Sequence, residues 1–298
     1  MTKLKKSAVT FSLFIAICCL SSYSFSANAL DKFAHQVVCQ LAYNNLPSAQ
    51  QQKIEQLLTL IPSQHQKLIN RYNHQKSNAS INFAKACTWA DAIKKLPEYN
   101  KYKSWHYLNA ARTAQHINQN TCDKNCITHA IIIHSQQLQQ AQQWSKTQAL
   151  MFLGHWLGDI HQPLHVSFAS DLGGNKVKIT STSKCNNLHW YWDECLLKNE
   201  GLTFNDKLKQ LQKQWQQTPA PLLGQTIDKN VTANWADESF QIIQQASFQY
   251  CRSHGISCLP LKQKVVINPD YDQHYLPIYN VQLLKAAQRL HSLLMHYL

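Results

Sequence analysis

One segment near the middle of the chain, residues 151–166, joins an apolar helical pattern to three metal-ligating side chains. His155 and Asp159 are four residues apart, so a helix places them on one face, where both can bind the same ion. Pro163 interrupts the helix, and His165 follows just beyond it, where the chain can turn towards a neighbouring ion. We therefore expect a metal site on this helix and on the turn that follows it.

A second pair with the same spacing, His189 and Asp193, lies downstream. Imidazole and carboxylate ligands together suit zinc, and fewer than four protein ligands per ion leave a position for water. A single pair of this kind is more often a hydrogen bond on a helix surface. Two pairs, with a further histidine after a proline in apolar surroundings, favour metal binding instead.

Three further polar residues lie among apolar or aromatic neighbours and fit the same kind of site: Asp91, His106 and His35. Lys94 follows Asp91 by three positions, which places both on one helical face. The alternative for Asp91 and Lys94 is a surface ion pair, which would contribute about 0–1 kcal/mol to stability. The alternative for His106 and for His35 is a buried core histidine, which needs only a hydrogen-bond partner.

Helical periodicity dominates the rest of the chain. It covers residues 33–45, 49–61, 80–95, 126–143, 147–162, 188–197, 203–217, 230–249 and 272–297. Residues 171–175 are typical of a turn, and residues 176–180 alternate like a short strand. Hydrophobic residues make up 44% of the chain, which is enough for a sizeable core, and no linker or internal repeat divides it. We predict a mainly α single domain with a minor β-hairpin.

Residues 1–29 are typical of a secretory signal rather than of a folded segment. A start with three lysines precedes an apolar run at residues 8–20, and Ala27-Asn28-Ala29 is a cleavage site of the A-x-A kind. The apolar run is shorter than the roughly 20 residues that span a bilayer. We expect cleavage after Ala29, export to the periplasm or the medium, and a domain at residues 30–298 without stable membrane association. A retained anchor is the alternative.

The cysteines indicate disulfides. Beyond the signal they are Cys39, Cys87, Cys122, Cys126, Cys185, Cys195, Cys251 and Cys258. An even number in an exported chain favours bridges, and the lack of any CxxC pair disfavours a thiolate zinc site. Plausible local pairs are Cys122 with Cys126, Cys185 with Cys195 and Cys251 with Cys258, which would leave Cys39 with Cys87. Because many pairings are possible, the sequence predicts bridges and leaves their pattern open.

Taken together and in order, these residues resemble the motifs of the S1/P1 nuclease family. The matching segments are Thr88-Trp89-Ala90-Asp91, His106-Tyr107, Phe152-Leu153-Gly154-His155, Gly158-Asp159-Ile160-His161-Gln162-Pro163-Leu164-His165, Gly173-Gly174-Asn175 and Asn187-Leu188-His189-x-x-Trp192-Asp193. The fourth and the last of these combinations are specific. The resemblance implies the mainly helical fold that this family shares with zinc-dependent phospholipases C.

The resemblance also implies three zinc ions, Zn²⁺. The first would be held by Asp91, His106, His155 and Asp159, the second by His165, His189 and Asp193, and the third by His35, a bridging Asp159 and the amine and carbonyl oxygen of the N-terminal residue. In the family that residue lies five positions before the first ligand histidine, which here is Leu30, the residue exposed by cleavage after Ala29. The family usually begins with Trp, so the packing beside this ion differs.

The activity that the resemblance implies is hydrolysis of single-stranded DNA and RNA to 5′-nucleotides, with 3′-nucleotidase activity. Asp91 is expected to orient the attacking water while it ligates zinc, and Lys94 to offer a cation to the charge that builds on phosphate. Tyr107 resembles the family's base-stacking aromatic residue, and Asn175 its base-contacting residue. Asn109 stands where the family often has Asp; because an amide can both donate and accept, the base preference stays open. Core packing for Tyr107 and a turn role for Asn175 are the alternatives.

The chain has a large excess of basic residues. The chain has 29 basic and 16 acidic residues, a formal charge of +13 at pH 7, which suits a polyanionic substrate such as nucleic acid. A phospholipase C on the same fold would share the zinc ligands but would need neither a base-reading Asn175 nor a basic surface. A non-enzymatic exported protein that sequesters zinc or binds nucleic acid is the third possibility. No oligomer interface is legible, and we expect a monomer.

Overall fold

Long helices form the framework of the computed structural model, which describes residues 31–218, 226–255 and 257–298. Its α-helices are α1 (Lys32–Asn44), α2 (Ser48–Thr59), α3 (Ser63–Tyr72), α4 (Phe83–Ala86), α5 (Trp89–Ala92), α6 (Ile127–Gln140), α7 (Gln143–Ile160), α8 (Leu188–Trp190), α9 (Leu196–Asn199), α10 (Phe204–Gln217), α11 (Lys229–Ile243) and α12 (Pro269–Tyr297). A π-helical turn, Tyr191–Cys195, joins α8 to α9. Four 3₁₀-helices span Pro97–His106, Pro163–His165, Ala169–Asp171 and Ala246–Phe248 of the described residues. The predicted signal and Leu30 lie outside the described residues.

Helix α7 is the centre of the core. Every residue from Ala149 to Ile160 is buried, because this helix is apolar on nearly all sides and so must be surrounded by others. Helices α6, α12, α1, α5 and α2 contact it. His155 and Asp159 are therefore held on a rigid, buried element.

The predicted helices agree with the structure at most places, and the mainly α fold is confirmed. The prediction was wrong for residues 80–95, where a break separates α4 from α5. There the Thr88 hydroxyl donates to the Lys85 carbonyl over 2.8 Å, a local bond that competes with helix continuation. Helix α11 also ends at Ile243, earlier than predicted, and a short turn follows it.

Helix α3 was not predicted at all. Its buried residues are His65, Ile69 and Asn70, two of which are polar. A search for apolar periodicity does not detect a helix whose inner face carries imidazole and amide groups.

Six short strands complete the described residues: β1 (Leu108–Ala110), β2 (Val166–Phe168), β3 (Ile179–Thr180), β4 (Cys251–His254), β5 (Ser257–Pro260) and β6 (Val265–Val266). Strands β4 and β5 pair antiparallel as a hairpin, at a place where the sequence predicted no strand. The strand predicted at residues 176–180 is reduced to β3, which pairs in parallel with β6. Strand β1 pairs in parallel with β2, so the segments that follow His106 and His165 run side by side.

Disulfides close four loops within the described residues. They join Cys39 to Cys87, Cys122 to Cys126, Cys185 to Cys195, and Cys251 to Cys258. These are the three local pairs considered from the sequence and the pair that they leave. In the part of the chain that the structure describes, no helix is both long and apolar enough to cross a membrane.

Candidate metal centre

Eight of the nine predicted ligands meet at one buried place, and the ninth, Leu30, lies outside the described residues. They come from distant parts of the chain: His35 from α1, Asp91 from α5, His106 from the end of the helix that precedes β1, His155 and Asp159 from α7, His165 from the turn after α7, and His189 and Asp193 from α8 and the π-helical turn. The turn at Pro163 has the predicted effect, because it returns His165 towards α7.

Asp159 is the common neighbour of four imidazoles. Its Oδ2 lies 2.9 Å from His106 Nδ1 and 3.2 Å from His155 Nε2. Its Oδ1 lies 3.2 Å from His165 Nδ1 and 3.4 Å from His35 Nε2. The carboxylate is fully buried. Such a position suits a carboxylate that is shared between ions.

Asp193 organises a second group of side chains. Its Oδ1 lies 3.4 Å from His165 Nε2, and its Oδ2 lies 3.4 Å from His189 Nε2. Gln162 donates from Nε2 to Asp193 Oδ1 over 2.6 Å, which fixes the carboxylate from the side. Hydrogen bonds of this kind hold metal-ligating carboxylates in orientation.

Asp91 lies at the edge of the cluster. Its Oδ1 is 3.7 Å from His155 Nε2 and 3.9 Å from His106 Nδ1. Lys94 Nζ lies 2.7 Å from the same oxygen, so the predicted ion pair is present, although Asp91 is buried rather than on the surface. The Tyr72 hydroxyl donates to the other oxygen, Oδ2, over 3.0 Å.

Three groups of ligand atoms, each within 4.8 Å of one another, can hold a metal ion: His35 with Asp91 and His155, His106 with His155 and Asp159, and His165 with His189 and Asp193. The third group is the predicted second zinc set. The other two draw on the residues predicted for the first and third ions, but they place Asp91 beside His35.

Backbone carbonyls fix three of the imidazoles. The Nδ1 atom of His155 bonds to the Cys87 carbonyl over 2.8 Å, and that of His165 bonds to the His106 carbonyl over 2.9 Å. The Nδ1 atom of His189 bonds to the Gly173 carbonyl over 2.7 Å. Because a carbonyl only accepts, Nδ1 carries the proton and Nε2 keeps its lone pair for a metal.

Several buried atoms of the cluster have no hydrogen-bond partner among the described residues. They are both ring nitrogens of His35, His165 Nε2, Asp159 Oδ1 and Asp193 Oδ2. A buried polar atom left without a partner costs about 1–3 kcal/mol, and here five such atoms converge. A divalent cation would satisfy them, and the mixture of imidazole and carboxylate suits zinc. The residues therefore fit the group that the sequence implies.

The pKa values of His35, His106 and Asp159 favour the protonation states that a metal needs, whereas nearby carboxylates outweigh burial at His155 and His165 and raise their pKa. Burial, and then the neighbouring His155, lower the pKa of His35 to about 4. Burial and then Lys94 lower the pKa of His106 to about 3. Burial would raise the pKa of Asp159, but the adjacent imidazoles of His155 and His165 outweigh it and leave the pKa well below its usual range. Neutral imidazoles and an ionised carboxylate are the forms that bind metal.

The cluster lies in a region of the chain whose sequence matches a known protein family. The sequence model of the family described as S1/P1 Nuclease matches residues 31–298. The chain belongs to the S1/P1 nuclease family. All eight described ligand positions lie inside the matched region.

Individual relatives are more distant. The chain is 37% identical to Endonuclease 3 of Arabidopsis thaliana over 41% of the chain and 45% of that protein. It is 28% identical to Endonuclease 4 of the same plant over 72% of the chain and 76% of that protein. It is 30% identical to Nuclease S1 of Aspergillus oryzae over 37% of the chain and 40% of that protein. The matched part of the chain thus spans about half the length of Endonuclease 3.

The structure also locates the residues that the S1/P1 resemblance assigns to the substrate. Tyr107 follows His106 and is 37% exposed, which leaves its ring accessible and argues against simple core packing. Asn109 is exposed on β1, opposite Ser167 of β2. Asn175 donates from Nδ2 to the Leu172 carbonyl over 2.9 Å, which is the turn role considered as its alternative.

The two glycines before Asn175 have a structural reason. Gly173 and Gly174 have φ values of +62° and +84°, which side chains other than glycine rarely adopt. A Cβ atom on Gly173 would also lie 2.6 Å from the Leu164 carbonyl oxygen. This close approach brings the Gly173 carbonyl to His189.

Two residues that touch the cluster were not singled out from the sequence. Tyr72 lies in α3, and the sequence did not predict this helix because its buried face is largely polar. Gln162 lies inside the strongest motif, but no spacing rule marks an amide as the partner of a carboxylate 31 positions away.

Proposed function

We propose that this member of the S1/P1 family is a zinc-dependent phosphodiesterase that hydrolyses single-stranded DNA and RNA to 5′-nucleotides, and that it also acts as a 3′-nucleotidase. The observation that carries the proposal is Asp159, a fully buried carboxylate in contact with four imidazoles. The names of the relatives, endonucleases and Nuclease S1, support the reaction class.

Three zinc ions are part of the proposal. Asp91, His106, His155 and Asp159 would hold the first ion, His165, His189 and Asp193 the second, and His35, Asp159 and the N-terminal Leu30 the third. When bound, zinc lowers the pKa of a water molecule towards about 7 and stabilises negative charge on phosphoryl oxygens.

The side chains of the protein supply orientation and charge. Tyr72 and Lys94 hold the two oxygens of Asp91, so this carboxylate can direct an attacking water. Burial would raise the pKa of Asp91, but Lys94 and then the imidazoles of the cluster outweigh it, and the carboxylate stays ionised. The side chain of Lys94 is 25% exposed, so a phosphate that enters the centre can also approach its ammonium group.

Base recognition is assigned to three residues around the centre. The exposed ring of Tyr107 offers a stacking surface for an unpaired base. Asn109 and Asn175 provide amides that can donate to or accept from base edges. Because a base must leave the duplex to stack on Tyr107, single strands are the expected substrates.

Export is part of the same proposal. Four disulfides among the described residues fit an oxidising compartment. We propose that cleavage after Ala29 releases a monomeric domain, residues 30–298, that begins at Leu30. The new amine would then be free to bind the third ion.

The test is hydrolysis of single-stranded DNA by the chain that begins at Leu30, first in EDTA and then with zinc restored. Release of 5′-mononucleotides that EDTA stops and zinc restores is the expected result. Asp159→Asn should abolish it, whereas Asp123→Asn, which changes an exposed carboxylate far from the ligands in sequence, should not. A folded, zinc-loaded protein that cleaves phosphatidylcholine vesicles but not DNA would overturn the proposal in favour of a phospholipase C.

The N-terminal ligand has a separate test. One additional glycine before Leu30 should lower the zinc content of the purified protein from three ions towards two, because the amine is displaced from the cluster. Full zinc content in the extended protein would show that Leu30 is not a ligand.

A further inference from the structure

The segments that lead into strands β3 and β6 carry a concentration of positive charge. The two strands pair in parallel, with Ile179 opposite Val265, and both of these side chains are buried. Side chains alternate along a strand, so the residues before this pair, Lys178 and Lys264, lie on the opposite, exposed face. Lys176, in the turn before β3, and Lys262, in the bend before β6, are also exposed. We call these four residues the lysine face.

The lysine face is not neutralised. No acidic side chain of the described residues forms an ion pair with any of the four lysines, although other lysines of the chain do have such partners. Like charges at neighbouring positions of paired strands repel each other and destabilise the pairing. Such an arrangement persists more readily where a polyanion compensates for it.

The lysine face is continuous with the metal centre. The Gly173 carbonyl holds His189, and the chain runs from this glycine turn through Lys176 and Lys178 to β3. The backbone of Val177 bonds to Gly174 and to Leu188, so the start of the strand is tied to both sides of the centre. Lys178 is five residues beyond Gly173, which places it at most about 18 Å along the chain.

We propose that the lysine face, Lys176, Lys178, Lys262 and Lys264, binds the phosphates of a single-stranded nucleic acid outside the scissile bond. The inference rests on the proposed nuclease function and adds a second contact region to it. A nucleic-acid strand that leaves the metal centre past Asn175 meets these lysines next. The contact holds long substrates and contributes nothing to mononucleotides, because a single nucleotide does not reach beyond the centre.

We favour a single-stranded nucleic acid over a membrane as the partner of the lysine face, because the lysine face is continuous with the metal centre. A lipid surface would need a broad basic or apolar plane, whereas these lysines lie on the two segments that precede the short strands β3 and β6. Lysine contacts to phosphate are independent of sequence and sensitive to salt, because binding releases counterions.

The experiment compares Lys178→Gln/Lys264→Gln with a matched pair on another element, Lys209→Gln/Lys213→Gln. Lys209 and Lys213 are also exposed, and neither has an ion-pair partner among the described residues. Both double variants remove the same charge. The substrates are a long single-stranded oligonucleotide, a dinucleoside monophosphate and a 3′-nucleotide.

For Lys178→Gln/Lys264→Gln, KM for the oligonucleotide should rise about tenfold at low salt, and kcat should not change. The slope of log KM against log salt should fall by about 1.4, which corresponds to two single-strand phosphate contacts. The dinucleoside and the 3′-nucleotide should be cleaved as by the wild type. An unchanged salt slope, an equal loss with the control pair, or an equal loss on the short substrates would overturn the proposal.

Binding measured without catalysis separates this inference from the nuclease proposal. In EDTA, a fluorescent oligonucleotide should bind the wild type more tightly than Lys178→Gln/Lys264→Gln. Lysine-dependent binding by a zinc-loaded protein that cleaves no nucleic acid would overturn the nuclease proposal but keep the lysine face. Lysine-dependent binding to anionic vesicles, without binding to the oligonucleotide, would overturn the lysine face as a nucleic-acid surface.

Discussion

The Tyr72 hydroxyl donates a hydrogen bond to Asp91 Oδ2 over 3.0 Å. Burial and then the charge of Asp91 raise the pKa of Tyr72, so the hydroxyl remains a donor across the whole working pH range. Helix α3 thereby orients a carboxylate of α5, and Lys94 holds the other oxygen of that carboxylate. Residues outside the ligand set commonly determine how well such a ligand binds its metal.

The substitution Tyr72→Phe removes this donor and keeps the ring. We expect zinc affinity at the Asp91 position to fall by about 10–100-fold, with a parallel loss of phosphodiesterase activity. Competition with a zinc chelator measures the affinity directly. Tyr99→Phe is the control, because the Tyr99 hydroxyl accepts from Gln148 and contacts no ligand. Equal zinc affinity in Tyr72→Phe and the wild type would contradict a positioning role.

Gly154 brings the Cys39–Cys87 disulfide against the helix that carries His155. A Cβ atom at Gly154 would lie 2.2 Å from Cys87 Sγ and 2.7 Å from Cys39 Sγ, so the bridge occupies the space of a side chain. The next residue, His155, bonds through Nδ1 to the Cys87 carbonyl. The same half-cystine thus packs on the helix and orients a ligand.

We expect Gly154→Ala to destabilise the fold by about 1–3 kcal/mol through overpacking and to weaken zinc binding as Cys87 is displaced. Thermal unfolding with and without zinc measures both effects. Gly201→Ala is the control, because Gly201 also resists substitution, with φ at +72°, but has nothing within 4 Å. If both variants retain the zinc affinity of the wild type, the disulfide does not position His155.

Much of the centre could be predicted from the sequence because its ligands follow local rules. Two i,i+4 pairs and a proline that turns His165 back place five ligands in two local sets, and the packing of the fold brings these sets together. His35, Asp91 and His106 come from other elements, and only the family motif assigned them to the same site. The grouping of Asp91 with His35 depends on how α1, α5 and α7 pack, which no local pattern contains.

The errors of the prediction have the same origin. Helix α3 presents polar groups to the interior, where Asn70 Nδ2 bonds to the carbonyls of Ser77 and Ala79, and such a face has no apolar period. The break between α4 and α5 depends on the Thr88 hydroxyl, which is also bonded to Asn73 of the preceding segment. Both features are set by contacts between elements rather than by helix propensity.

Arg112 supports the glycine turn from outside the centre. Its guanidinium bonds to Asp171 and lies 4.4 Å above the Phe168 ring. The Oδ1 atom of Asp171 in turn accepts from the Gly174 N–H over 2.9 Å and from the Tyr250 hydroxyl over 2.6 Å. A stacked, hydrogen-bonded guanidinium of this kind cannot be replaced by a point charge.

We therefore expect Arg112→Lys to loosen the turn whose Gly173 carbonyl orients His189. Zinc bound by His165, His189 and Asp193 should be lost at a chelator concentration about tenfold lower than in the wild type. KM should rise more than kcat falls, because Asn175 lies on the same turn. Arg71→Lys, a change on the surface of α3, is the control. An unchanged zinc affinity with a lower melting temperature would reduce Arg112 to a purely structural role.

His134 makes stability depend on pH without touching a ligand. Its ring is almost fully buried, and it packs against Phe152 at 4.5 Å and Trp105 at 5.4 Å between ring centroids. Burial lowers the pKa of His134 to about 3, whereas an unfolded histidine has a pKa of about 6.5. The unfolded chain therefore binds a proton that the fold excludes. The resulting stability is complete above about pH 6.5 and is lost as the pH falls towards about 3.

The substitution His134→Gln removes this titration and keeps an amide near the Trp156 N–H, which lies 3.1 Å from His134 Nδ1. Between about pH 7.5 and about pH 5.5, the free energy of unfolding should fall by about 1.4 kcal/mol less in the variant than in the wild type. Denaturant unfolding in EDTA at several pH values measures the difference and avoids the separate pH dependence of metal binding. His116→Gln, at a side chain that is 69% exposed, controls for the loss of an imidazole as such. Parallel curves for His134→Gln and the wild type would show that the fold accepts the proton and that another buried group sets the acid limit.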